Sequence, residues 1–475
     1  MKKVLRDFLY NALYQLFIII TPILTMPFLS RVLGVKALGI NSYTFSVVQI
    51  LGVLAFLGIG QLGIRSIAKN RDSQNKVNET FWGLWLIQFL AGIVVIGLYT
   101  FYIINVNKEY RMYFLLQLPF LFGVIFDISW FYIGIERIKQ VVLRNMLIKS
   151  VSIILIFILI RDENDLWKYM LIMSLGALLG NIVFWMGLSK YVTKFSFNRQ
   201  YLKDNFRAAL LLLIPQLAIQ VYITFDKTIL GMIAGPVELS YYDQSQKISR
   251  IILAVITSLS MVLLPRLANM VVNNQNEVLH KYLKKSLDYT IVLALLFCNI
   301  VMLNSYEFVP WFFGESFIPM SPLMFWVSFI IIFIPIGGVF ANQYALAFEK
   351  DKQYVLPLVL GAIISLILNI IFIPRYGAVG ATFVIVFVEF MVCFFRVYLI
   401  RKYLDLKFMF QGVYTYFLAA LITFIFVYFI PKMFVNDFIN MTIKSLVIGM
   451  VYIIIILVLP NMISRDLKRL ILKNK

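Results

Sequence analysis

The sequence predicts an all-α polytopic membrane protein with 14 transmembrane helices. Fourteen apolar stretches follow one another through nearly all of the 475 residues, of which 61% are hydrophobic and only 14% are charged. Soluble proteins carry about 25% charged residues. The hydrocarbon core of a bilayer is about 30 Å thick, so roughly 20 helical residues span it. Helices are expected because unpaired backbone groups in lipid cost several kcal/mol each.

The predicted spans are the apolar runs between short polar connections. In chain order they cover residues 9–31, 37–63, 80–105, 112–135, 143–160, 167–189, 207–233, 237–265, 286–304, 320–347, 354–373, 378–398, 409–430 and 443–462. No connection exceeds 20 residues, so no extramembrane domain is expected. Polytopic glycosyltransferases and polymerases usually need such a domain, and the GxxxxGK[ST] motif of ATP hydrolysis does not occur. The sequence therefore does not indicate an enzyme.

The distribution of basic residues predicts the orientation in the membrane. With the N-terminus in the cytoplasm, the cytoplasmic segments hold 30 Lys and Arg residues, the external segments hold nine, and four lie within spans. This bias places both termini in the cytoplasm and favours an even number of spans. Because the net charge of +20 is explained in this way, nucleic acid is not an expected partner.

Cysteine and histidine chemistry is not indicated. The two cysteines, Cys298 and Cys393, lie inside predicted spans, and the single histidine, His280, lies in a polar connection. One histidine cannot form a His-based metal cluster, and its position in a loop does not suggest a catalytic triad. We therefore expect neither a cofactor nor a metal.

An internal repeat divides the chain. At a constant offset of 201 residues, Gly34 between spans 1 and 2 matches Gly235 between spans 7 and 8. At the same offset Gln15 matches Gln216. Six spans separate the copies, so they have the same orientation and predict two pseudo-symmetric six-helix lobes with a substrate cavity between them. The predicted domains are an N-terminal lobe over 1–195, a C-terminal lobe over 196–405 and an extra C-terminal helix pair over 406–475.

Charged residues inside the spans mark a candidate binding site. A charge at the bilayer centre costs about 3 kcal/mol, so such residues usually have a function or a partner. The cations on spans 1, 7 and 8 are Arg31, Lys227, Lys247 and Arg250. The carboxylates on spans 4, 7, 8 and 12 are Asp127, Asp226, Asp243 and Glu389, which are also candidate sites for coupling to H⁺ or Na⁺.

Two interpretations of these charges stay open. Spacings of four and three residues place Asp243, Lys247 and Arg250 on one stripe of span 8. In one interpretation, Asp243 pairs with Lys247, and Asp226 pairs with Lys227. In the other, the excess of cations lines a cavity for a phosphate or pyrophosphate group, which Arg binds through two parallel hydrogen bonds.

Polar and aromatic residues accompany the charges on the same spans. They are Gln15, Asn41, Tyr43, Gln216, Tyr241, Tyr242 and Gln244. Tyrosine rings and amides suit sugar rings, which present C–H faces and hydroxyl groups together. Interhelical hydrogen bonds and interfacial tyrosine anchors are the alternative interpretation.

Four segments carry a resemblance to a known family. They are Asp127–Glu136 at the end of span 4, Phe313–Phe317 before span 10, Leu368–Ala381 with the following Glu389, and the Gly235–Gln244 turn into span 8. Their order on fourteen spans resembles that of the O-antigen and capsule repeat-unit flippases. These form the polysaccharide transporter family of the multidrug/oligosaccharidyl-lipid/polysaccharide exporter superfamily.

The resemblance implies two six-helix lobes around a central cavity that opens alternately to each side of a bacterial cytoplasmic membrane. The cargo would be an undecaprenyl-pyrophosphate-linked oligosaccharide, moved from the inner to the outer leaflet for capsule or O-antigen synthesis. Expected partners are membrane lipid, glycosyltransferases and a polysaccharide polymerase. The driving force would be the membrane potential or antiport of H⁺ or Na⁺. Spans 13 and 14 offer an apolar face for the lipid tail.

Three other functions stay open. A flippase for lipid II or for a teichuronic-type lipid-linked glycan would suit the same number of spans. A cation-coupled multidrug exporter of the same superfamily usually has twelve spans and acidic residues facing cationic drugs, whereas this chain has a cationic excess. Outside transport, the protein would be a scaffold that organises a glycan-assembly complex.

Overall fold

A computed structural model describes residues 2–105, 108–196, 198–272, 276–432 and 434–465. In these ranges the chain is almost entirely helical and contains no β-strand. Its internal contacts divide it into two compact units, residues 1–240 and 241–475. The predicted lobe boundary at residue 195 and the separate helix pair from residue 406 stay predictions.

Nine α-helices lie wholly within the described residues of the first unit. They are α1 (Lys2–Phe56), α2 (Ile59–Asn70), α3 (Gln74–Asn105), α4 (Lys108–Leu115), α5 (Leu118–Ile125), α6 (Ser129–Gly134), α7 (Ile138–Leu159), α8 (Leu166–Met186) and α9 (Arg199–Ile233), with 3-10 turns at Glu163–Asp165 and Leu188–Lys190. Five of these nine helices, α1, α3, α7, α8 and α9, are of membrane length. Helix α1 packs on α3, α7 and α9, and α5 packs on α8.

The second unit is built around α11. Its helices are α10 (Pro236–Val272), which begins in the first unit, α11 (Asn276–Phe313), α12 (Ser321–Val327), α13 (Ile330–Gly338), α14 (Asp351–Ile400), α15 (Leu406–Met409), α16 (Val413–Tyr428) and α17 (Asp437–Val458), with a 3-10 segment at Glu315–Met320 and a π-helical segment at Val339–Ala345. Helix α11 contacts α12, α13, α16 and α17.

The multi-pass helical class is confirmed. Among the described residues, eleven helical stretches are long and apolar enough to cross a membrane. Two of them, Leu13–Asn70 and Asp351–Ile400, contain 58 and 50 residues, far more than one crossing needs. Each contains a glycine with positive φ, Gly34 at +73° and Gly377 at +52°, which breaks the helix. The count of fourteen crossings and the symmetry of the lobes stay predictions.

The break at Gly377 bends the chain sharply. The ring centroids of Phe372 and Phe383 are 5.4 Å apart, whereas eleven residues of straight helix would separate them by about 16 Å. A Cβ on Gly380 would lie 2.7 Å from the carbonyl oxygen of Phe372. The glycines of this predicted turn therefore permit a backbone conformation and a close approach that larger residues would strain.

Spans 4 and 10, predicted as continuous helices, are interrupted. Residues 112–135 form parts of α4, α5 and α6, and residues 320–347 form α12, α13 and the π-helical segment. Pro335 lies inside α13, where a proline removes one helical donor and crowds the preceding turn. The apolar composition continues across these interruptions, so hydropathy gives no sign of them.

Each unit has its own apolar core. In the first unit, Phe81, Trp130 and Phe131 are at most 1% exposed and join α3 to α6. In the second unit, the fully buried Tyr416 and Tyr452 join α16 and α17 to the core residues of α11. These cores fix the helices on which the polar residues described next are placed.

Candidate functional site

The helix is interrupted between the end of α5 and the start of α6. Polar side chains surround this break in the interior of the first unit. Gln88 of α3, which is 0% exposed, donates from Nε2 to the carbonyl oxygens of Val124 (2.7 Å), Ile125 (3.2 Å) and Asp127 (3.0 Å). Its Oε1 accepts a hydrogen bond of 3.2 Å from Trp130 Nε1. One side chain thus satisfies carbonyl groups that the break leaves without helical partners.

Three further side chains close the same break. Trp85 of α3, and Asn181 and Trp185 of α8, donate to carbonyl oxygens between residues 123 and 126 at 3.3, 2.8 and 2.9 Å. Side chains of α3 and α8 thus occupy an acceptor position on each of these carbonyl groups. Among the residues that the structure describes, no three His, Cys, Asp or Glu side chains are grouped as metal ligands.

Arg144 of α7 is the cation next to this break. Its Nη2 donates to Asn181 Oδ1 at 3.0 Å, and its guanidinium lies 3.9 Å from the centroid of the Phe184 ring. Asp127 is close enough to act electrostatically on Arg144. The Oδ1 atom of Asp127 accepts a hydrogen bond of 2.8 Å from the amide of Ser129 at the start of α6. Asp127 therefore stabilises the restart of the helix, and its role in ion coupling stays a prediction.

Helices α1 and α9 carry the predicted cavity residues of the first unit. Tyr43 is 4% exposed, and its ring packs against Gly231 of α9. The contact requires glycine, because a Cβ at that position would lie 2.5 Å from the ring. Ser46 Oγ lies 2.9 Å from Thr228 Oγ1. The half-buried Lys227 is therefore placed beside the contact between the two helices.

The other predicted residues of this unit are spread along the same helices. Arg31 is exposed, just before the break at Gly34, and about 18 Å of helix separate Gly34 from Ser46. Arg31 and Lys227 therefore lie at different levels of the unit. Asp226 is 3% exposed, and its Oδ1 accepts a hydrogen bond of 2.8 Å from the amide of Lys227. Of the amides, Gln15 is exposed, while Asn41 and Gln216 are half-buried.

The predicted stripe of α10 contains an ion pair. Lys247 Nζ lies 2.7 Å from Asp243 Oδ2, and the two side chains are 37% and 3% exposed. Arg250 Nη2 donates to Gln246 Oε1 at 3.2 Å. The local pairing of Asp243 with Lys247 is thus present. Because more than a third of its side chain is exposed, Lys247 can still bind an anion while it is paired.

Polar side chains continue along α10 and occur again on α14. Gln244 is 3% exposed and Tyr242 is fully buried. The hydroxyl of Tyr241 donates to the carbonyl of Ser316 at 3.2 Å and anchors α10 to the 3-10 segment. Glu389 is 6% exposed on α14. Arg31 and Lys227 thus belong to the first unit and Lys247 and Arg250 to the second, and their convergence on one chamber stays a prediction.

A family model described as "Polysaccharide biosynthesis protein" matches residues 4–271, more than half of the chain. The chain belongs to this family. The matched range contains α1, α9 and most of α10, and therefore all four predicted cations. The predicted family resemblance is confirmed.

Two relatives of this polysaccharide biosynthesis protein carry the name "Putative O-antigen transporter". The one from Escherichia coli (strain K12) is 23% identical over 409 residues, which cover 84% of this chain and 96% of the relative. The one from Shigella dysenteriae is 21% identical over 397 residues, which cover 83% of this chain and 98% of the relative. Both relatives therefore match almost from end to end.

Solved structures show the same fold. The lipid II flippase MurJ in an inward closed conformation superposes with a TM-score of 0.71 at 14% identity and covers 98% of this chain and 99% of its own. An inward-facing multidrug resistance transporter of the MATE family in the MOP superfamily gives a TM-score of 0.65 at 15% identity and covers 82% of this chain and 97% of its own. At this level of identity, these likenesses show the fold alone.

Sequence reasoning missed two charged groups of this family member. Arg144, at the start of predicted span 5, was counted with the basic residues of the preceding cytoplasmic connection, but it lies well inside α7. Lys284 and Asp288 were not considered, yet they form an ion pair with side chains only 4% and 1% exposed. Predicted span 9 begins at residue 286, whereas α11 begins at Asn276. Lys284 and Asp288 are four residues apart, so a predicted helix that began before residue 284 would have placed them on one face as an ion pair.

Proposed function

We propose that this protein is a flippase for lipid-linked oligosaccharides. Its cargo is an undecaprenyl-pyrophosphate-linked repeat unit, which moves from the inner to the outer leaflet by alternating access during capsule or O-antigen-type polysaccharide synthesis. The observation that carries this proposal is membership of the polysaccharide biosynthesis protein family over residues 4–271. The two relatives named as O-antigen transporters, matched over almost their whole length, support it.

The pyrophosphate group is the part of the cargo that the cations would bind. Arg31 is exposed, and Lys227, Lys247 and Arg250 are half-buried. Each of these side chains can therefore bind an anion while it keeps part of its own hydration. A pyrophosphate oxygen can replace the water around the Lys247 ammonium group. Asp243 stays paired with the same ammonium group while this happens. We propose that these four cations meet the pyrophosphate at successive levels of its crossing, with Tyr43 and the amides of α10 on the side of the sugars.

The lipid tail has a candidate site of its own in the second unit. An apolar groove of about 730 Å³ is lined by α10, α11 and α17, including Leu296, Ile300, Trp311 and Met450. A polyprenyl chain transferred from lipid into such a groove keeps its apolar surroundings. The groove thus supports an arrangement in which the tail stays in hydrocarbon while the headgroup crosses.

A transport assay in reconstituted vesicles tests the proposal. The variant Asp243→Asn/Lys247→Gln/Arg250→Gln removes the two cations of α10 that are assigned to the cargo, together with the buried carboxylate that would otherwise lose its lysine. The matched control is Lys76→Gln, which removes one exposed positive charge at the start of α3. We expect the parent and the control to transfer the labelled lipid-linked oligosaccharide between leaflets, and the triple variant to lose transfer.

Each opposite outcome contradicts a different part of the proposal. Full transfer by the triple variant would reject the cationic site. A folded parent protein that transfers no lipid-linked glycan would reject the flippase and favour a scaffold of the glycan-assembly complex. Coupling is tested in the same vesicles by imposing a membrane potential, a proton gradient or a sodium gradient separately, with Asp127, Asp226, Asp243 and Glu389 as the carboxylates to substitute.

A flippase for lipid II is the second candidate function. The likeness to the lipid II flippase MurJ covers 98% of the chain, which specifically favours it. The likeness to the MATE transporter covers 82%, which makes a drug exporter the weaker alternative. Competition between labelled repeat-unit lipid and unlabelled lipid II distinguishes the cargoes. In either case we place the protein in the bacterial cytoplasmic membrane with both termini in the cytoplasm, beside the glycosyltransferases and polymerase of the pathway.

A further inference from the structure

A polar pocket lies at the end of the second unit where α11 and α16 begin and α17 ends. Its volume is about 220 Å³, and Lys284, Gln411, Gly412, Met462 and Arg465 are among its lining residues. One water in the liquid occupies about 30 Å³. The pocket therefore has room for a tetrahedral anion, and its lining includes two cations and no carboxylate.

Lys284 is the buried cation of this pocket. Its Nζ pairs with Asp288 Oδ1 at 2.5 Å and donates to the carbonyl oxygen of Gln411 at 2.9 Å. An ammonium group has three N–H donors, and these two acceptors are its partners among the residues that the structure describes. One donor thus remains for a ligand. Because Asp288 already balances Lys284, the cost of keeping the lysine charged inside the protein is met before an anion binds.

The backbone of α16 adds a second source of positive potential. Gly412 is the N-cap of this helix, with φ of +76°, and no side chain caps the first turn. The amides of Val413 and Thr415 already donate to the carbonyl oxygens of Phe410 and Gly412, so the first turn offers a ligand the amide of the lining residue Gly412 and the positive end of the helix dipole. Arg465 is exposed and contributes a full charge from the other side of the pocket. Asp405 is not among the lining residues, and its Oδ1 accepts from the amides of Lys407 and Phe408.

We propose that this pocket binds a phosphate group. Arg465 would hold two phosphate oxygens, the third N–H of Lys284 would donate to a further oxygen, and the amide of Gly412 would complete the site. The two possible sources of the phosphate are a membrane lipid headgroup and free phosphate in solution. Phe408, 36% exposed at the edge of the pocket, offers an apolar surface for the glycerol and acyl region of a lipid. The site is separate from the four cations assigned to cargo.

Thermal unfolding of the purified full-length protein in an uncharged detergent tests the site. The probes are dioleoyl-phosphatidylglycerol, dioleoylglycerol as the same lipid without phosphate, and inorganic phosphate compared with chloride at equal ionic strength. The variants are Arg465→Gln, which removes the exposed ligand, and Met462→Trp, which fills the pocket while keeping every charge. Lys402→Gln is the control, because it removes an exposed cation after the end of α14 and outside the pocket lining.

We expect phosphatidylglycerol or inorganic phosphate to stabilise the parent, and dioleoylglycerol to leave its unfolding temperature unchanged. Stabilisation by the lipid alone would identify a headgroup phosphate, and stabilisation by both would show that free phosphate also binds. Arg465→Gln should weaken the apparent affinity about tenfold or more, as the loss of a charge-assisted contact does, and Met462→Trp should abolish binding. The proposal is overturned if dioleoylglycerol stabilises as well as phosphatidylglycerol, if neither phosphate probe stabilises, or if Lys402→Gln loses as much affinity as Arg465→Gln.

Discussion

The ammonium group of Lys247 lies 2.7 Å from a carboxylate oxygen of Asp243, one helical turn earlier on α10. The carboxylate is 3% exposed, whereas the lysine side chain is 37% exposed. The pair is therefore asymmetric: Asp243 depends on Lys247 for charge balance, but Lys247 retains access to an incoming anion. The pairing that the sequence predicts is therefore present, and anion binding by Lys247 stays a prediction.

Because of this asymmetry, we expect the variant that loses only Lys247 to be less stable than the variant that loses both members of the pair. Lys247→Gln leaves the buried Asp243 carboxylate without its lysine, so we expect the free energy of unfolding to fall by about 1–3 kcal/mol, less than the 3–5 kcal/mol of a fully buried pair. Asp243→Asn/Lys247→Gln should recover most of that loss. Unfolding of both variants in detergent measures the difference. Equal destabilisation of the single and double variants would contradict the prediction.

Gln88 is predicted to be essential to the first unit because it donates to the carbonyl groups of the break between α5 and α6. Gln88→Leu keeps the volume but removes the side-chain donor of the Val124 and Asp127 carbonyl groups and leaves Ile125 only the 3.3 Å bond from Trp85, and each lost bond costs about 1–3 kcal/mol. We expect the unfolding temperature to fall clearly, whereas Gln140→Leu at an exposed position of α7 should change it little. An unchanged unfolding temperature in Gln88→Leu would show that other donors satisfy the break.

The sequence predicts the class of fold because hydropathy and the positive-inside bias act over long segments. It also locates the matching turns, since Gly34 and Gly235 both adopt positive φ, at +73° and +89°. The break between α5 and α6 is different. Its carbonyl partners come from Gln88 on α3 and Asn181 on α8, far away in the sequence, so no local pattern predicts them.

Some charged residues of the candidate site could likewise be identified from the sequence, and others could not. Charge inside an apolar span identifies Lys247 and Asp243 from sequence alone, because a lone charge in lipid is costly. Arg144 and Lys284 escape detection because they lie within one turn or two of the predicted span ends, where basic residues are expected in the cytoplasmic connections. Their burial becomes visible only when α7 and α11 are seen to extend beyond the apolar runs.

The bend at Gly377 predicts a strong dependence on glycine. Gly377→Ala places a Cβ on a residue with φ of +52° and ψ of −132°, a conformation that costs an L-residue about 1–3 kcal/mol. Gly449→Ala is the matched control, because a Cβ there meets nothing within 4 Å and alanine favours a helix. We expect the first variant to lower the unfolding temperature and the second to keep or raise it. Equal effects would mean that the bend does not require glycine.

The apolar groove of the second unit predicts a variant that blocks the lipid tail without disturbing the fold. Gly449 lines the groove and has open space at its Cβ position, so Gly449→Trp should place its ring in the groove rather than against protein atoms. Gly97→Trp is the control, because Gly97 of α3 also has no atom within 4 Å but is not among the lining residues of the groove.

In reconstituted vesicles we expect Gly449→Trp to slow leaflet transfer of the undecaprenyl-linked cargo about tenfold, which corresponds to an activation free energy higher by about 1.4 kcal/mol. Gly97→Trp should leave the transfer rate near that of the parent. A cargo with a short prenyl tail should lose less, because it uses less of the groove. This comparison separates tail binding from general damage, since a protein that folds or moves poorly would slow both cargoes alike. Equal slowing of the long and short cargoes, or a parent rate in Gly449→Trp, would remove the groove from the transport pathway.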